Sequence, residues 1–198
     1  MLILLAFACS SEPKPDVPAT PNKPDQPATP VADASVAGSM KLDPGTSKVG
    51  FNGRKITGAH DGVFNGVSGS ATVDGGMLVT MNGEVELGSV QTDSKKLDGH
   101  LMGEDFFDVA QFPTAKFTST SIAQGDGGYT VTGDLDLHGV SQEVTFPATV
   151  SVGAEAVEVD AGFSIDRQVF GIAYPGKPDD LIQDEVAITL DLTFTSGG

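Results

Sequence analysis

The histidines are the first residues in this sequence whose chemistry could build a site. The chain has three, His60, His100 and His138, and each lies within two residues of a glycine in turn-like sequence. No His-x-His or His-x-x-x-His spacing occurs and no cysteine lies near them, whereas zinc sites in proteins use three or four such ligands. The pattern predicts no metal site and favours histidines that form hydrogen bonds within turns. Because His100 lies in the segment described below, we also expect it near the head group of a ligand.

Three aspartates accompany the second histidine. Asp98, Asp105 and Asp108 lie close to His100 in sequence, but nothing pairs two of them for acid–base catalysis. We expect them to be solvated or to cap a helix, with Asp105 or Asp108 capping a short helical turn. The serines are not part of a Gly-x-Ser-x-Gly nucleophile elbow. The sequence therefore predicts a protein that is not an enzyme.

These residues belong to a segment, 97–121, that differs from the rest of the chain. It starts with polar, turn-forming residues and continues into an apolar cluster that includes Phe106, Phe107 and Phe112. After Pro113 it ends in the alternating run Ala-Lys-Phe-Thr. A cluster of this kind directly before a strand predicts a short helical segment that covers an interior.

The remaining sequence from Met40 alternates between apolar and polar residues and is interrupted by glycine-rich turns. In the last run, residues 186–194, Val, Ile, Leu, Leu and Phe share one face. About eight such runs occur, and one apolar face per run is the pattern of antiparallel strands. A sheet of that many strands tends to close, so we predict an all-β fold. The expected architecture is an eight-stranded antiparallel barrel whose interior holds side chains or one slender ligand.

The charge balance excludes some partners. There are 27 acidic and 11 basic residues, a net charge of −16. Such a surface repels the phosphate backbone of nucleic acids and opposes purely electrostatic docking on anionic lipids. The single cysteine excludes a disulfide within the chain.

The N-terminus carries a possible export signal. Residues 2–8 are apolar and end in a small residue directly before Cys9, which resembles the end of a bacterial lipoprotein signal. Residues 1–9 are therefore expected to direct export, with Cys9 lipidated and holding the protein on a membrane. The localisation would be periplasmic or, as an outer-membrane lipoprotein, at the cell surface. A disordered apolar N-terminus is the alternative.

A proline-rich stretch follows. Seven of the twelve prolines lie between Pro13 and Pro30, a composition that cannot bury enough apolar surface to fold. We predict that residues 10–40 form a disordered tether and that residues 41–198 form the barrel domain. An unselected disordered tail would have the same composition.

Several motifs resemble those of the YceI-like, polyisoprenoid-binding family over residues 41–195. They are Asp-Gly-His-Leu at 98–101, Asp-Phe-Phe-Asp-Val at 105–109, Phe-Pro-Thr-Ala-Lys-Phe at 112–117, His-Gly-Val at 138–140 and Ile-Asp-Arg at 165–167. Two features depart from the family pattern. Leu97-Asp98-Gly99 stands where many members have Arg-Asp, and the loop 174–181 is long for the type.

The resemblance implies a lipocalin-like barrel with an apolar tunnel for an isoprenoid lipid, such as an isoprenoid quinone, which the protein would transport or store. No other cofactor is implied. The predicted ligand-binding residues are Phe51, His60, Phe64, His100, Leu101, Phe106, Phe107, Phe163, Arg167 and Phe170.

Some of these assignments have alternatives that the sequence leaves open. The phenylalanines would serve equally well as ordinary core, and Arg167 as a buried structural partner of an aspartate. The whole domain could instead be a tethered surface or adhesion module whose core is filled by its own side chains. A homodimer also remains open.

Overall fold

A computed structural model describes residues 38–196, which form thirteen strands, one short α-helix and two 3-10 helices. The strands are β1 (Gly38–Leu42), β2 (Lys48–Lys55), β3 (Gly58–Phe64), β4 (Val67–Asp74), β5 (Met77–Glu86), β6 (Val90–Thr92), β7 (Thr114–Gly125), β8 (Gly128–Leu137), β9 (Val140–Val152), β10 (Ala156–Asp166), β11 (Gly176–Lys177), β12 (Asp180–Leu181) and β13 (Glu185–Thr195). Helix α1 is Lys95–Leu101, and the 3-10 helices are Leu87–Ser89 and Arg167–Phe170.

Eight strands close into an antiparallel ring in the order β1-β4-β5-β7-β8-β9-β10-β13, with β13 pairing back to β1. This confirms the predicted eight-stranded barrel. Strand β13 is long enough to have a second partner on the same edge. Strand β2 pairs with the part of β13 that β1 does not reach. Strands β3 and β6 then extend the sheet beyond β2.

The two ends of the barrel differ in their filling. At the packed end, where the turns 74–77, 125–128 and 152–156 lie, inward side chains fill the interior. Val131 pairs with Phe146 and Val157 pairs with Phe194 across neighbouring strands. All four are at most 2% exposed. Alternate residues of a strand point to one side, so these apolar positions converge on a single core.

The domain boundary lies three residues earlier than predicted. Strand β1 begins at Gly38, inside the range assigned to the tether. Met40 is the reason, because it pairs with Ala71 and is 3% exposed, which places residues 38–40 in the barrel. The predictions for Cys9, for the signal and for tether residues 10–37 lie outside the described residues.

The other end, the mouth, is covered by α1 and the segment that follows it. Leu101 and Phe106 point inward and are buried, and Pro113 accepts a hydrogen bond from the Leu87 amide, which fixes the end of the segment. This confirms the predicted helical cover. In the part of the chain that the structure describes, no helix is long and apolar enough to span a membrane.

The expected capping role of Asp105 and Asp108 was wrong. A turn does open at Asp108, whose carbonyl accepts from the amides of Gln111 and Phe112. The two carboxylates, however, contact side chains: Asp105 meets His100 Nε2, and Asp108 accepts from Gln111 Nε2. Asp98 instead accepts hydrogen bonds from the Thr92 amide and hydroxyl, both at 2.7 Å, and so ties the first turn of α1 to β6.

Replacing Phe194 with alanine should destabilise the fold strongly. The ring is fully buried where β13 meets its neighbours, and removing such a ring costs about 3–5 kcal/mol. Thr130→Ala, at an exposed position of β8, should change stability by less than about 0.5 kcal/mol. Urea denaturation of both variants measures the difference, and equal unfolding midpoints would contradict the assigned packing.

Candidate functional site

The barrel is hollow toward its mouth. An internal cavity of about 220 Å³ lies between the packed end and the cover. Most of its wall is aliphatic or aromatic: Leu42, Val49, Phe51, Phe64, Val67, Met81, Val85, Leu87, Leu101, Phe106, Phe107, Ala115, Phe117, Leu135, Leu137, Val144, Phe146, Phe163, Ile165, Ile172, Ile182, Val186, Ile188, Leu190 and Leu192.

The floor and the roof of the cavity are aromatic. In the floor, Phe163 stacks on Phe146 with ring centroids 4.4 Å apart, and Phe117 lies 5.6 Å from Phe146 on the other side. In the roof, Phe64 lies 5.8 Å from Phe107 of the cover. Aromatic rings therefore pack against one another in the wall of the cavity at both levels.

An interior-facing glycine helps to explain why the space is empty. Gly83 lies on β5 between the inward-facing Met81 and Val85, and pairs with Phe117 of β7. A Cβ added at Gly83 would meet no atom within 4 Å. Strand β5 therefore contributes a gap to the wall at the position where a larger residue would project into the cavity.

A second space of about 240 Å³, the vestibule, lies outside the cavity. The two spaces are adjacent and share five lining residues, which we call the throat: Phe51, Gly53, Leu101, Phe106 and Ile182. The vestibule is more polar, since it adds the following lining residues: Arg54, Lys55, His60, Leu97, His100, Tyr174, Gly176, Lys177 and Asp180. An apolar lining in the cavity and a more polar lining in the vestibule thus lie next to each other at the mouth.

Two of the three histidines border this vestibule. His60 Nδ1 lies 3.0 Å from an Asp93 carboxylate oxygen. His100 Nε2 lies 3.2 Å from Asp105, and its ring packs edge-on against Tyr174.

The third histidine lies elsewhere. His138 is in the turn between β8 and β9, where Nδ1 contacts the Phe170 carbonyl at 3.2 Å. Within residues 38–196 no group of three or more His, Cys, Asp or Glu side chains is placed to hold a metal ion.

One wall of the vestibule is the loop 172–184, which docks on the tip of the β2–β3 hairpin. Lys55 Nζ donates to Asp180 at 2.6 Å, and the amide and hydroxyl of Thr57 donate to the same carboxylate. The Lys55 ammonium holds the pKa of Asp180 below its ordinary value of 3.8, and the Thr57 donors add to this, whereas loss of solvent opposes it. Two backbone bonds complete the docking: the Ile56 amide donates to the Leu181 carbonyl, and the Gln183 amide donates to the Arg54 carbonyl.

Arg167 fixes the base of that loop. Its guanidinium is almost fully buried and donates to the carbonyls of Ile172, Ile182 and Gln183 and to the Asp184 carboxylate. Arg167 is therefore a buried structural partner of an aspartate, although the Asp184 side chain itself is 57% exposed. Arg167 also borders the cavity, but its donors are directed at the loop.

The structure brings together nine of the ten predicted site residues. Seven line the cavity: Phe51, Phe64, Leu101, Phe106, Phe107, Phe163 and Arg167. His60 and His100 line the vestibule. Phe170 lines neither space; it is 1% exposed and packs in the core, because it ends a 3-10 helix beside the barrel wall. Contact of any of them with a ligand stays a prediction.

Sequence reasoning missed several residues that shape the site. Tyr174 and Ile182 come from a loop whose partner, the β2–β3 tip, is more than a hundred residues away in the chain. No local sequence pattern predicts a contact between segments so far apart in the chain. Gly83 had a usable signal, since it occupies an inward position of an alternating strand.

The chain is similar to proteins of one family. Residues 40–194 match the model of the YceI-like domain. A UPF0312 protein of Pseudomonas putida strain F1 is 33% identical over 112 residues, which are 53% of this chain and 58% of that protein. The chain thus aligns with little more than half the length of such curated relatives.

Solved structures share the fold. BcnA of Burkholderia cenocepacia is 26% identical, with a TM-score of 0.69 over 77% of this chain and 98% of that one. A polyisoprenoid binding domain from Saccharophagus degradans, implicated in plant cell wall breakdown, is 19% identical, with a TM-score of 0.66 over 80% of this chain and 98% of that one. At that identity the likeness concerns the fold.

Arg167→Met should destabilise the protein by about 2–4 kcal/mol, because it leaves three loop carbonyls without their donor. Arg167→Lys should recover only part of the lost stability, since one ammonium group cannot donate to all the acceptors that the planar guanidinium reaches. Arg54→Met is the control, because Arg54 is exposed and its side chain makes one hydrogen bond, to Asn52. Chemical denaturation of the three variants checks this, and a loss no larger than that of Arg54→Met would refute the role of Arg167.

Loop docking should weaken in acid. The pKa of Asp180 is lower in the folded protein, so its contribution is complete above the ordinary value of 3.8 and is lost as the pH falls through the lowered value. Hydrogen exchange of the Thr57 amide should accelerate in that acid range, while circular dichroism shows that the barrel remains folded. In Asp180→Asn the amide should exchange fast at neutral pH already. Slow exchange in that variant would show that the carboxylate does not hold the loop.

Proposed function

Because the chain belongs to the YceI-like family, whose domain model residues 40–194 match, we propose that it binds an isoprenoid lipid, such as an isoprenoid quinone, and carries or stores it. The observation that carries the proposal is the apolar cavity inside the barrel, which adjoins a more polar vestibule at the throat. The Saccharophagus degradans neighbour, described as a polyisoprenoid binding domain, supports it.

The wall chemistry suits a hydrocarbon. Burying apolar surface contributes about 25 cal/mol per Å² and needs no complementary charge. Apolar cavities of about 150 Å³ stay dry and take up a single benzene-sized molecule. A cavity of about 220 Å³ would therefore hold the end of an isoprenoid tail, and the remainder would pass Gly53 and Phe51 at the throat.

The vestibule would receive the polar end of the lipid. Lys55, His100 and Tyr174 carry donor groups beside the throat, and a quinone carbonyl accepts hydrogen bonds. Ligand sites are generally apolar and fix the orientation of the ligand with a few polar groups.

The proposed role is binding without catalysis. Contacts within the fold account for the groups that invite chemistry: His60 lies against Asp93, His100 against Asp105, and Arg167 donates to the loop. We also propose export of the protein and attachment to a membrane through lipidated Cys9, on the basis of the N-terminal sequence.

The alternative of a tethered surface or adhesion module requires an interior filled by the protein's own side chains. The cavity and the open space at Gly83 disfavour it.

Native mass spectrometry of protein purified without detergent, followed by solvent extraction, tests the proposal. The protein should carry an isoprenoid lipid or take up added isoprenoid quinone. Extracts without lipid, together with no uptake of added quinones, would overturn it.

Gly83→Leu should abolish or strongly reduce this binding, because the added side chain projects into the cavity without striking another atom at Cβ. Stability should not fall, since the new side chain buries apolar surface. Gly162→Leu is the matched control. Gly162 is also a strand glycine with open space at Cβ, but it faces outward on β10. Equal lipid content in the two variants would show that the cavity is not the binding site.

A further inference from the structure

An exposed apolar pair lies beside the vestibule. Ile56, in the turn between β2 and β3, is 67% exposed, and Leu181 on β12 is 46% exposed. Their backbones are joined by a hydrogen bond of 3.2 Å from the Ile56 amide to the Leu181 carbonyl. We call segments 54–57 and 176–181, which carry this pair, the rim.

The exposure of Ile56 is not a by-product of turn formation. Tight turns favour Gly, Asn, Asp, Ser and Pro, for which the conformation has specific advantages, and isoleucine has none of these. Single exposed apolar residues are common. Here two of them come from distant parts of the chain and meet at the edge of the opening.

The charge of the rim differs from that of the whole chain. The rim carries three cations, Arg54, Lys55 and Lys177, and two carboxylates, Asp179 and Asp180. Its formal charge is therefore slightly positive, whereas the chain carries −16. An apolar tip flanked by cationic side chains suits the boundary between lipid phosphates and acyl chains.

We infer that the rim is the surface with which the protein contacts a phospholipid bilayer, with Ile56 and Leu181 inserted among the head groups. The vestibule, which shares Lys55, Lys177 and Asp180 with the rim, then opens at the membrane surface. This inference rests on the proposed function, because it names the source from which the cavity is filled.

Contact at the rim has a kinetic consequence. An isoprenoid tail that leaves a bilayer through water exposes its apolar surface on the way. A vestibule that meets the bilayer shortens the path of the lipid through water. The rim should therefore govern the rate at which lipid is transferred, and the amount of lipid bound at equilibrium should not depend on it.

The test uses the full chain with Cys9→Ser, so that acylation does not dominate membrane binding. In that background the rim variant is Ile56→Asn with Leu181→Thr. The control is Met77→Gln with Val79→Thr, two residues 47% and 40% exposed on β5 near the packed end. Flotation with phosphatidylcholine vesicles measures partitioning, and vesicles that contain an isoprenoid quinone measure the rate of uptake.

The rim variant should partition at least about tenfold less and take up quinone correspondingly more slowly, whereas the control should match the parent. Equal partitioning of rim variant and control, or no flotation of the parent, would overturn the inference. So would a parent dimer that the rim variant converts to monomer, because the occupant would then be a second copy of this chain.

A second readout separates this inference from the proposed function. Loaded to equilibrium from detergent micelles, the rim variant should hold as much quinone as the parent, whereas Gly83→Leu should hold little yet still float with vesicles. If no form of the protein takes up quinone, the proposed function fails, and flotation still decides whether the rim contacts a bilayer.

Discussion

The barrel closes where β13 pairs back to β1, and the rest of the molecule depends on how the same edge of β13 is then passed to β2. Strand β1 pairs with β13 as far as Leu42, and β2 resumes the pairing at Lys48. Between them the buried Ser47 accepts a hydrogen bond from the Thr193 amide and donates to the Thr193 carbonyl. The Asp43 amide donates to the same carbonyl, so both the amide and the carbonyl of Thr193 have partners where β1 gives way to β2. Released from the ring, β2 continues past the start of β13 and carries the hairpin tip on which the loop 172–184 docks.

The same alternation of side chains gives a solid end and a hollow end, and side-chain volume decides which. Toward the packed end, Phe194 and Val157 meet across neighbouring strands and leave no space. Toward the mouth, Gly83 occupies an inward position, and the rings of the floor face those of the roof across the gap. Most of the close side-chain packing lies at the packed end. The stability of the fold therefore does not depend on what occupies the cavity near the mouth.

Sequence patterns predicted the features that arise within single strands. Alternation located seven of the eight ring strands and their inward faces, and the apolar cluster before Pro113 located the cover. Strand β1 was missed, because its first residues were assigned to the tether. What the patterns did not show depends on distant partners. The carboxylates of Asp105 and Asp108 contact His100 and Gln111 and do not cap a turn, because the turns after α1 are held by backbone bonds. Phe170 packs beside the wall, and the β11–β12 hairpin exists through its contacts with the β2–β3 tip. These positions are set by tertiary packing and not by local preference.

The point at which the chain enters the barrel has a consequence for its reach. Gly38 pairs with Val73 at the packed end, so the mouth lies at the far end of the barrel from Gly38. The 28 residues from 10 to 37 span at most about 100 Å, whereas the eleven residues of β13 measure about 36 Å. In the proposed form of the protein, held on a membrane through lipidated Cys9, a tether of that length would let the mouth reach either that membrane or a second membrane facing it. A tether shorter than the barrel would leave the mouth directed away from the membrane that holds Cys9.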